Sequence, residues 1–197
     1  MEEFILKKQA DKRFVDDEKP NFLQGVFRAQ IKENEGAWQT HFEKKNVIVN
    51  SARKIMAHMI GDCAGSPYEC INLFKLGGDN GLTATEMLTP TAPTPSDTDM
   101  VYTANTFTRL RTDTGSGGAS LFEISYPNTP NETSTLFTIT IEKGEANLLD
   151  PDPTVFVASG LYADISGIGV LLFASQTFPV MTKTTSRSFR YEWEVRF

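Results

Sequence analysis

The stretch that decides the fold is RSFRYEWEVRF, residues 187–197. From Phe189 to Phe197 every second residue is aromatic or aliphatic, and the residues between them are charged. Successive side chains of a β-strand point to opposite faces of a sheet, so this alternation predicts a half-buried strand with an aromatic inner face. We expect this strand to hold its end of the chain within a sheet.

Similar segments recur upstream and predict the fold class. Runs of strand character, separated by turns rich in Gly, Pro and Asn, lie at 71–76, 101–110, 120–126, 135–142, 154–165 and 170–178. Many short strands with regular turn signals are typical of sandwiches and barrels. We therefore predict a mainly β chain, an antiparallel β-sandwich or barrel-like sandwich with one short α-helix, formed as a single domain by residues 22–197.

Residues 26–43 favour a β-hairpin. Apolar and polar residues alternate on both sides of a polar connection that ends in Gly36, which is good turn chemistry. A helix through Leu23, Phe27 and Ile31 is the competing interpretation.

The helix is predicted at residues 51–60. Asn50 or Ser51 can cap its first turn, and Gly61 can end it. Ala52, Ile55, Met56, Met59 and Ile60 form its apolar stripe.

Composition bounds the class of protein. The chain has 197 residues and a formal net charge of −6, which gives no general attraction to nucleic acid or anionic lipid. No apolar run is long enough to span a membrane, and the first residues lack the apolar core of a signal peptide. We expect synthesis in a reducing cytosol, where Cys63 and Cys70 are free thiols, although a disulfide between them is geometrically possible.

Two segments are candidates for contact with other molecules. Residues 1–21 are polar and charged apart from the apolar island Phe4-Ile5-Leu6, and predict an extended arm that lies on its own domain or on a neighbouring subunit. Residues 89–99 form a Pro/Thr-rich loop, which Pro90, Pro93 and Pro95 keep extended. An extended loop loses little entropy on docking, so these prolines are predicted contact residues.

No catalytic constellation is evident in the sequence. The common nucleophile, phosphate-loop and zinc motifs are missing, so we expect a protein that is not an enzyme, without cofactor or metal. Glu192 and Glu194 could serve a glycosidase, but their alternation with arginines favours a ladder of cross-strand ion pairs.

Three polar runs have a second interpretation as ligand sites. The acidic runs 97–99 and 150–152 offer oxygens to calcium, although Asp beside Pro, Ser or Thr is also ordinary turn chemistry. The glycine-rich turn at 77–81 is weak evidence for a phosphate cradle, because no helix clearly opens behind it.

The order of short motifs along residues 46–197 carries a resemblance. Asn-Val-Ile-Val-Asn enters the helix at 46–50, followed by a strand ending in Gly77-Gly78 and the Pro/Thr-rich loop. Gly160-Leu161-Tyr162, a Lys-Thr turn at 183–184 and a last strand with Trp-Glu-Val complete the series. This order resembles a family of small virion proteins of tailed bacteriophages, encoded among neck, tail and fibre genes.

The resemblance implies a structural role. A member would be a structural or adaptor component of the neck, collar, baseplate or fibre attachment, made in the host bacterial cytoplasm and located in the virion. Its partners would be copies of itself and other virion proteins. The alternatives are a capsid decoration protein and a receptor- or glycan-binding sandwich, in which Tyr126 or Tyr162 would offer an aromatic platform.

Overall fold

The structure is a computed structural model that describes residues 24–61, 71–78, 81–127, 134–148, 154–165 and 167–196. These residues form two five-stranded antiparallel sheets with few helices, so the predicted mainly β sandwich is confirmed. The first sheet has the spatial order β2-β1-β10-β7-β6, and the second has the order β3-β9-β8-β4-β5.

The strands of the first sheet are β1 (Gln24–Glu33), β2 (Gln39–Lys45), β6 (Phe122–Ser125), β7 (Ser134–Ile141) and β10 (Arg187–Arg196). Those of the second sheet are β3 (Val47–Ile48), β4 (Ile71–Gly77), β5 (Phe107–Leu110), β8 (Thr154–Ile165) and β9 (Gly169–Lys183). The helices are α1 (Ser51–Gly61) and α2 (Ala84–Leu88), with one 3₁₀ turn at Ser116–Gly118.

The predicted hairpin and terminal strand are both confirmed. β1 lies between β2 and β10, and the apolar face of β10 pairs across to that of β1, with Phe27 opposite Trp193. The hairpin turn is made by Asn34 at φ 49°, a left-handed conformation that Asn tolerates better than most residues. The apolar residues of β10 face the core as predicted, because Tyr191 and Trp193 are fully buried.

The core lies between the sheets and is dominated by aromatic rings. Phe27 of β1 packs edge-on against Trp193 with centroids 4.8 Å apart, and stacks on Phe178 of β9 at 5.6 Å. Tyr191 contacts Phe74 of β4 at 5.2 Å. Such pairs contribute about 0.5–1.5 kcal/mol each beyond the area they bury, and here they join the two sheets.

Helix α1 packs against β9 and contributes to the main core. Ala52 and Ile55 are fully buried, as the apolar stripe predicts, and the Ser51 hydroxyl donates to the Leu172 carbonyl of β9 at 2.5 Å. The side chains of Met59 and Ile60 lie outside the described residues.

Two strands differ in their bounds from the predictions, and one helix was not predicted. The strand expected at 101–110 is only β5, because the preceding residues fold over the second sheet and bury Met100. β9 continues past residue 178 to Lys183, and its Pro179 is accommodated where the register with β8 shifts. A second helix, α2, follows a capping box in which Thr83 and Glu86 bond each other's backbone amides.

Candidate functional site

The outer face of the first sheet carries a row of ion pairs. Arg28 of β1 bridges two neighbouring strands, with Nε 2.7 Å from Glu43 of β2 and Nη1 2.7 Å from Glu192 of β10. Glu194 pairs instead with Arg196 of its own strand, and this bond lowers the pKa of Glu194. The predicted cross-strand ladder is thus confirmed for Glu192, whereas the ion pair of Glu194 lies within its own strand and Arg28 acts on Glu194 only as a nearby charge.

Arg190 does not join this ladder. Its guanidinium lies over the Trp38 ring, 4.3 Å from the ring centroid, and Lys32 lies 5.8 Å from the same ring. A cation above an aromatic face is stabilising by about 0.5–1 kcal/mol at exposed sites, so Trp38 closes the turn end of the hairpin against the sheet.

The Pro/Thr-rich loop lies on the second sheet. Pro93 is buried, Pro90 is half-buried and Pro95 is exposed, with its carbonyl accepting from the Asn50 amide at 2.7 Å. Part of the loop is therefore packed inside this chain. The role of the three prolines as contacts with partners stays a prediction.

Tyr162 anchors the end of this loop. Its hydroxyl donates to the Asp99 carboxylate and accepts from the Met100 amide, and the Lys75 ammonium lies 4.5 Å from the ring centroid. Burial, followed by the bond to Asp99, raises the pKa of Tyr162. A ring that is only 2% exposed cannot serve as a platform for a sugar, which leaves Tyr126, 53% exposed at the end of β6.

The candidate ligand runs prove to be structural where they are described. Asp97 accepts from both the amide and the hydroxyl of Thr94, which is turn chemistry. Within the described ranges no group of three or more His, Cys, Asp or Glu residues is placed to hold a metal ion. The run 150–152, both cysteines and the His58 side chain lie outside the described residues.

Gly77 and Gly78 serve close packing of the backbone. A β-carbon on Gly77 would lie 1.9 Å from the Tyr102 carbonyl oxygen, and one on Gly78 would lie 1.9 Å from that of Val155. The Gly78 amide donates to the Ala104 carbonyl at 3.0 Å. These glycines let the loop descend onto the sheet, which argues against the phosphate-cradle interpretation.

Two buried cations, Arg109 and Lys183, both interact with Glu145. Arg109 of β5 reaches across to Glu145, at 2.5 Å, and to the Thr140 carbonyl, at 3.3 Å, so it ties the second sheet to the first. Lys183 is fully buried, and its ammonium donates to the Thr184 carbonyl at 3.0 Å. Burial lowers the pKa of Lys183 to about 8, against an opposing effect of Glu145. The sequence gives no signal for either cation, since both stand at ordinary strand positions.

A groove opens between the sheets at the hairpin edge. Its volume is about 320 Å³, and residues of β1, β2, β9 and β10 line it, namely Ile31, Glu33, Gln39, Thr40, His41, Val180, Met181, Thr182 and Arg187. Met181 is fully buried and forms an apolar floor, and an ion pair between Glu33 and Arg187 lies at the rim. The groove was not predicted from the sequence, because its formation depends on the order of the strands in the two sheets.

The groove is bordered by incompletely paired strands. Among the described residues β2 pairs with β1 alone, and β3 covers β9 only at Ala174 and Ser175. β2 is exposed along nearly all of its length. The groove therefore places an apolar floor next to an available strand edge, which is the arrangement that binds extended peptides.

The predicted assembly arm lies outside the described residues. Nothing in the described structure bears on Phe4, Ile5 or Leu6, and their contact role stays a prediction.

Comparison with known proteins adds no identification. No family model matches the chain, and no curated protein or solved structure matches it either. None of the helices in the described part of the chain is long and apolar enough to cross a membrane.

Proposed function

We propose that this protein is a structural or adaptor component of a tailed-phage virion, at the neck, collar, baseplate or fibre attachment, and that it acts through symmetric protein–protein assembly. Its partners are copies of itself and other virion proteins. No catalytic role, cofactor or metal is part of the proposal. The motif order from Asn46 to Val195 is the sequence-level support for the phage class.

The observation that carries the assembly role is the edge of β2 beside the groove, with which no further strand in the described part of the chain pairs. Natural sandwiches blunt or cover such edges, because an open edge recruits other strands. Here the far half of β2 carries Glu43, Lys44 and Lys45, whereas the half beside the groove, Gln39 to His41, has no acidic or lysine side chain. The far half of this edge is thus blunted by charge and the groove-side half only by a β-bulge at His41, so the groove-side half is the part that suits a specific partner strand.

The rest of the described surface favours assembly over sugar binding. Of the two tyrosines proposed for a platform, Tyr162 is buried and Tyr126 is exposed, so the pair does not form one concave aromatic surface. The charges of the first sheet's outer face are largely used within the chain, as Arg28 and Glu192 show. A glycan-binding role remains the alternative that the experiment below separates.

The test is the mass of the full-length protein in solution, measured by light scattering coupled to size-exclusion chromatography over a range of concentrations. The matched variant carries Phe4→Asp and Leu6→Asp, which removes the apolar island without shortening the chain. We expect a defined oligomer that falls to monomer in the variant, with circular dichroism unchanged. A full-length protein that stays monomeric at all concentrations and binds arrayed glycans would contradict the assembly role and support the alternative.

A further inference from the structure

The geometry points to the groove beside β2 as the receptor for the apolar island Phe4-Ile5-Leu6 of a neighbouring copy of this chain. The inference rests on the proposed function, and it adds where the contact is made and by which bonds. The inserted segment would add a strand to the edge of the first sheet and place apolar side chains on the groove floor.

The strand edge that supplies the hydrogen bonds is that of β2. Gln39 and Thr40 line the groove and pair with β1 on their other side, and His41, the extra residue of a β-bulge, also lines the groove. The opposite wall, β9, suits pairing less well, because Pro179 has no amide hydrogen and the Thr182 carbonyl accepts from Arg187 at 2.9 Å. An added strand would therefore follow β2 and use β9 as an apolar wall.

The floor of the groove matches the island in character and size. Val180 and Ile31 are half-buried, so a side chain that covers them removes apolar surface from water. The volume of about 320 Å³ is at the low end for binding pockets, which range from about 300 to 1,000 Å³. Alternation along a strand would turn Phe4 and Leu6 to one face, so the groove has to take two apolar side chains.

Charges of opposite sign flank the island and also stand at the groove rim. Glu2 and Glu3 precede it, and Lys7 and Lys8 follow it. The groove rim carries Arg187 and Glu33, which already form one ion pair across the opening. An inserted segment would bring charges of both signs near that pair.

The length of the arm is sufficient for the island to reach the groove of a neighbouring copy. The arm joins the sandwich at Gln24, and the groove contacts β1 at Ile31 and Glu33, which are about 23–30 Å away at 3.3 Å per strand residue. The seventeen residues between Leu6 and Gln24 extend to about 60 Å. That reach lets the island cross to another copy, and exchange of identical segments closes a symmetric oligomer at low cost.

The test is site-specific photocrosslinking in the full-length chain. Thr40→p-benzoylphenylalanine places the probe on an exposed residue of β2 that borders the groove. Glu123→p-benzoylphenylalanine, on the exposed face of edge strand β6 of the same sheet, is the matched control. Equal amounts of nitrogen-14 and nitrogen-15 protein are mixed, irradiated and digested, so that mixed-isotope peptides identify links between copies.

We expect mixed-isotope crosslinks from position 40 to residues 1–12, and none of these from position 123. Adding Phe4→Asp and Leu6→Asp should lower their yield by about tenfold or more, because each change removes an apolar anchor. Crosslinks from position 40 within a single chain, to another segment, or none at all would overturn the inference.

The oligomer mass of the same samples separates this inference from the proposed function. An oligomer whose position-40 crosslinks avoid residues 1–12 retains the assembly role and rejects the groove as its receptor. A monomer with crosslinks inside one chain rejects both the exchange between copies and self-assembly.

Discussion

Replacing Lys183 with methionine should stabilise the protein at neutral pH. The ammonium group is fully buried, and its one hydrogen bond among the contacts described is to the Thr184 carbonyl, at 3.0 Å. It also lies 5.9 Å from the centroid of the Phe189 ring. Methionine keeps the unbranched shape of the side chain and removes the charge, so the core loses little packing.

The size of this stabilisation follows from the lowered pKa of Lys183. Burial lowers the pKa of Lys183 from 10.5 to about 8, which means that the folded state binds the proton more weakly than the unfolded state does. Below pH 8 this difference destabilises the folded protein by about 3 kcal/mol, at about 1.4 kcal/mol for each tenfold change in proton affinity. Loss of the bond to Thr184 costs about 1 kcal/mol, so the variant should gain about 2 kcal/mol at pH 7.

The stability advantage of Lys183→Met over the wild-type protein should decrease as the pH rises. A lysine whose folded pKa is lowered contributes a penalty that is complete below the folded value and disappears as the pH rises toward the unfolded value. Between pH 7 and 9.5 the wild-type protein should recover about 2 kcal/mol relative to the variant. Measurements stop at pH 9.5 because buried Tyr191 and Tyr162, whose pKa values are raised, favour folding progressively less above pH 10.

The assay is urea unfolding at pH 7, 8, 9 and 9.5, followed by the fluorescence of buried Trp193. Lys54→Met, at an exposed position of α1, is the control and should change the free energy of unfolding little at any pH. The reasoning is refuted if Lys183→Met is less stable than wild type at pH 7, or if its difference from wild type does not depend on pH.

Three further predictions concern the contacts that position the surfaces. Tyr162→Phe should lower the free energy of unfolding by about 1–3 kcal/mol in chemical denaturation, because it leaves the Asp99 carboxylate without its hydroxyl donor; an unchanged midpoint would show that the bond is not needed. Gly77→Ala should cost about 2 kcal/mol or more and increase hydrogen exchange in the loop, since the new carbon meets the Tyr102 carbonyl; equal exchange in both proteins would contradict this. Arg28→Ala should cost about 1 kcal/mol at low salt and less at high salt in thermal denaturation, and a larger, salt-independent loss would show that the side chain acts by packing.

Residue patterns predict local elements well in this chain. The alternation of β10 and the hairpin is confirmed because each strand has one face on the core, so burial imposes a period of two on the sequence. Helix α1 follows its apolar stripe for the same reason. Helix α2 was not predicted, although Thr83 and Glu86 stand at the spacing of a capping box. This spacing is a local signal from which the helix could have been predicted.

The candidate site depends on information that is not local. Residues 39–41 and 180–182 stand 139 or more positions apart, and nothing in either segment says that both lie at the same open edge. Sheet order decides that, and sheet order results from the packing of the whole chain. The Pro/Thr-rich loop is likewise predicted as a contact element from its composition alone, but composition does not show that Pro93 is buried within this chain.

The pairing of β1 with β10 determines how the sandwich would respond to a mechanical load. Gln24 is opposite Arg196, so a force that separates these two residues sideways opens the ten register pairs one after another from that end. A force applied to Gln24 along the strand, against a partner held at the Ile31 end, instead acts on the bonds to β10 and β2 together, since these bonds lie perpendicular to the strands. The same strand is therefore weak when peeled and strong when sheared. A tether attached before Gln24 would transmit tension well in the second direction, in which the groove lies.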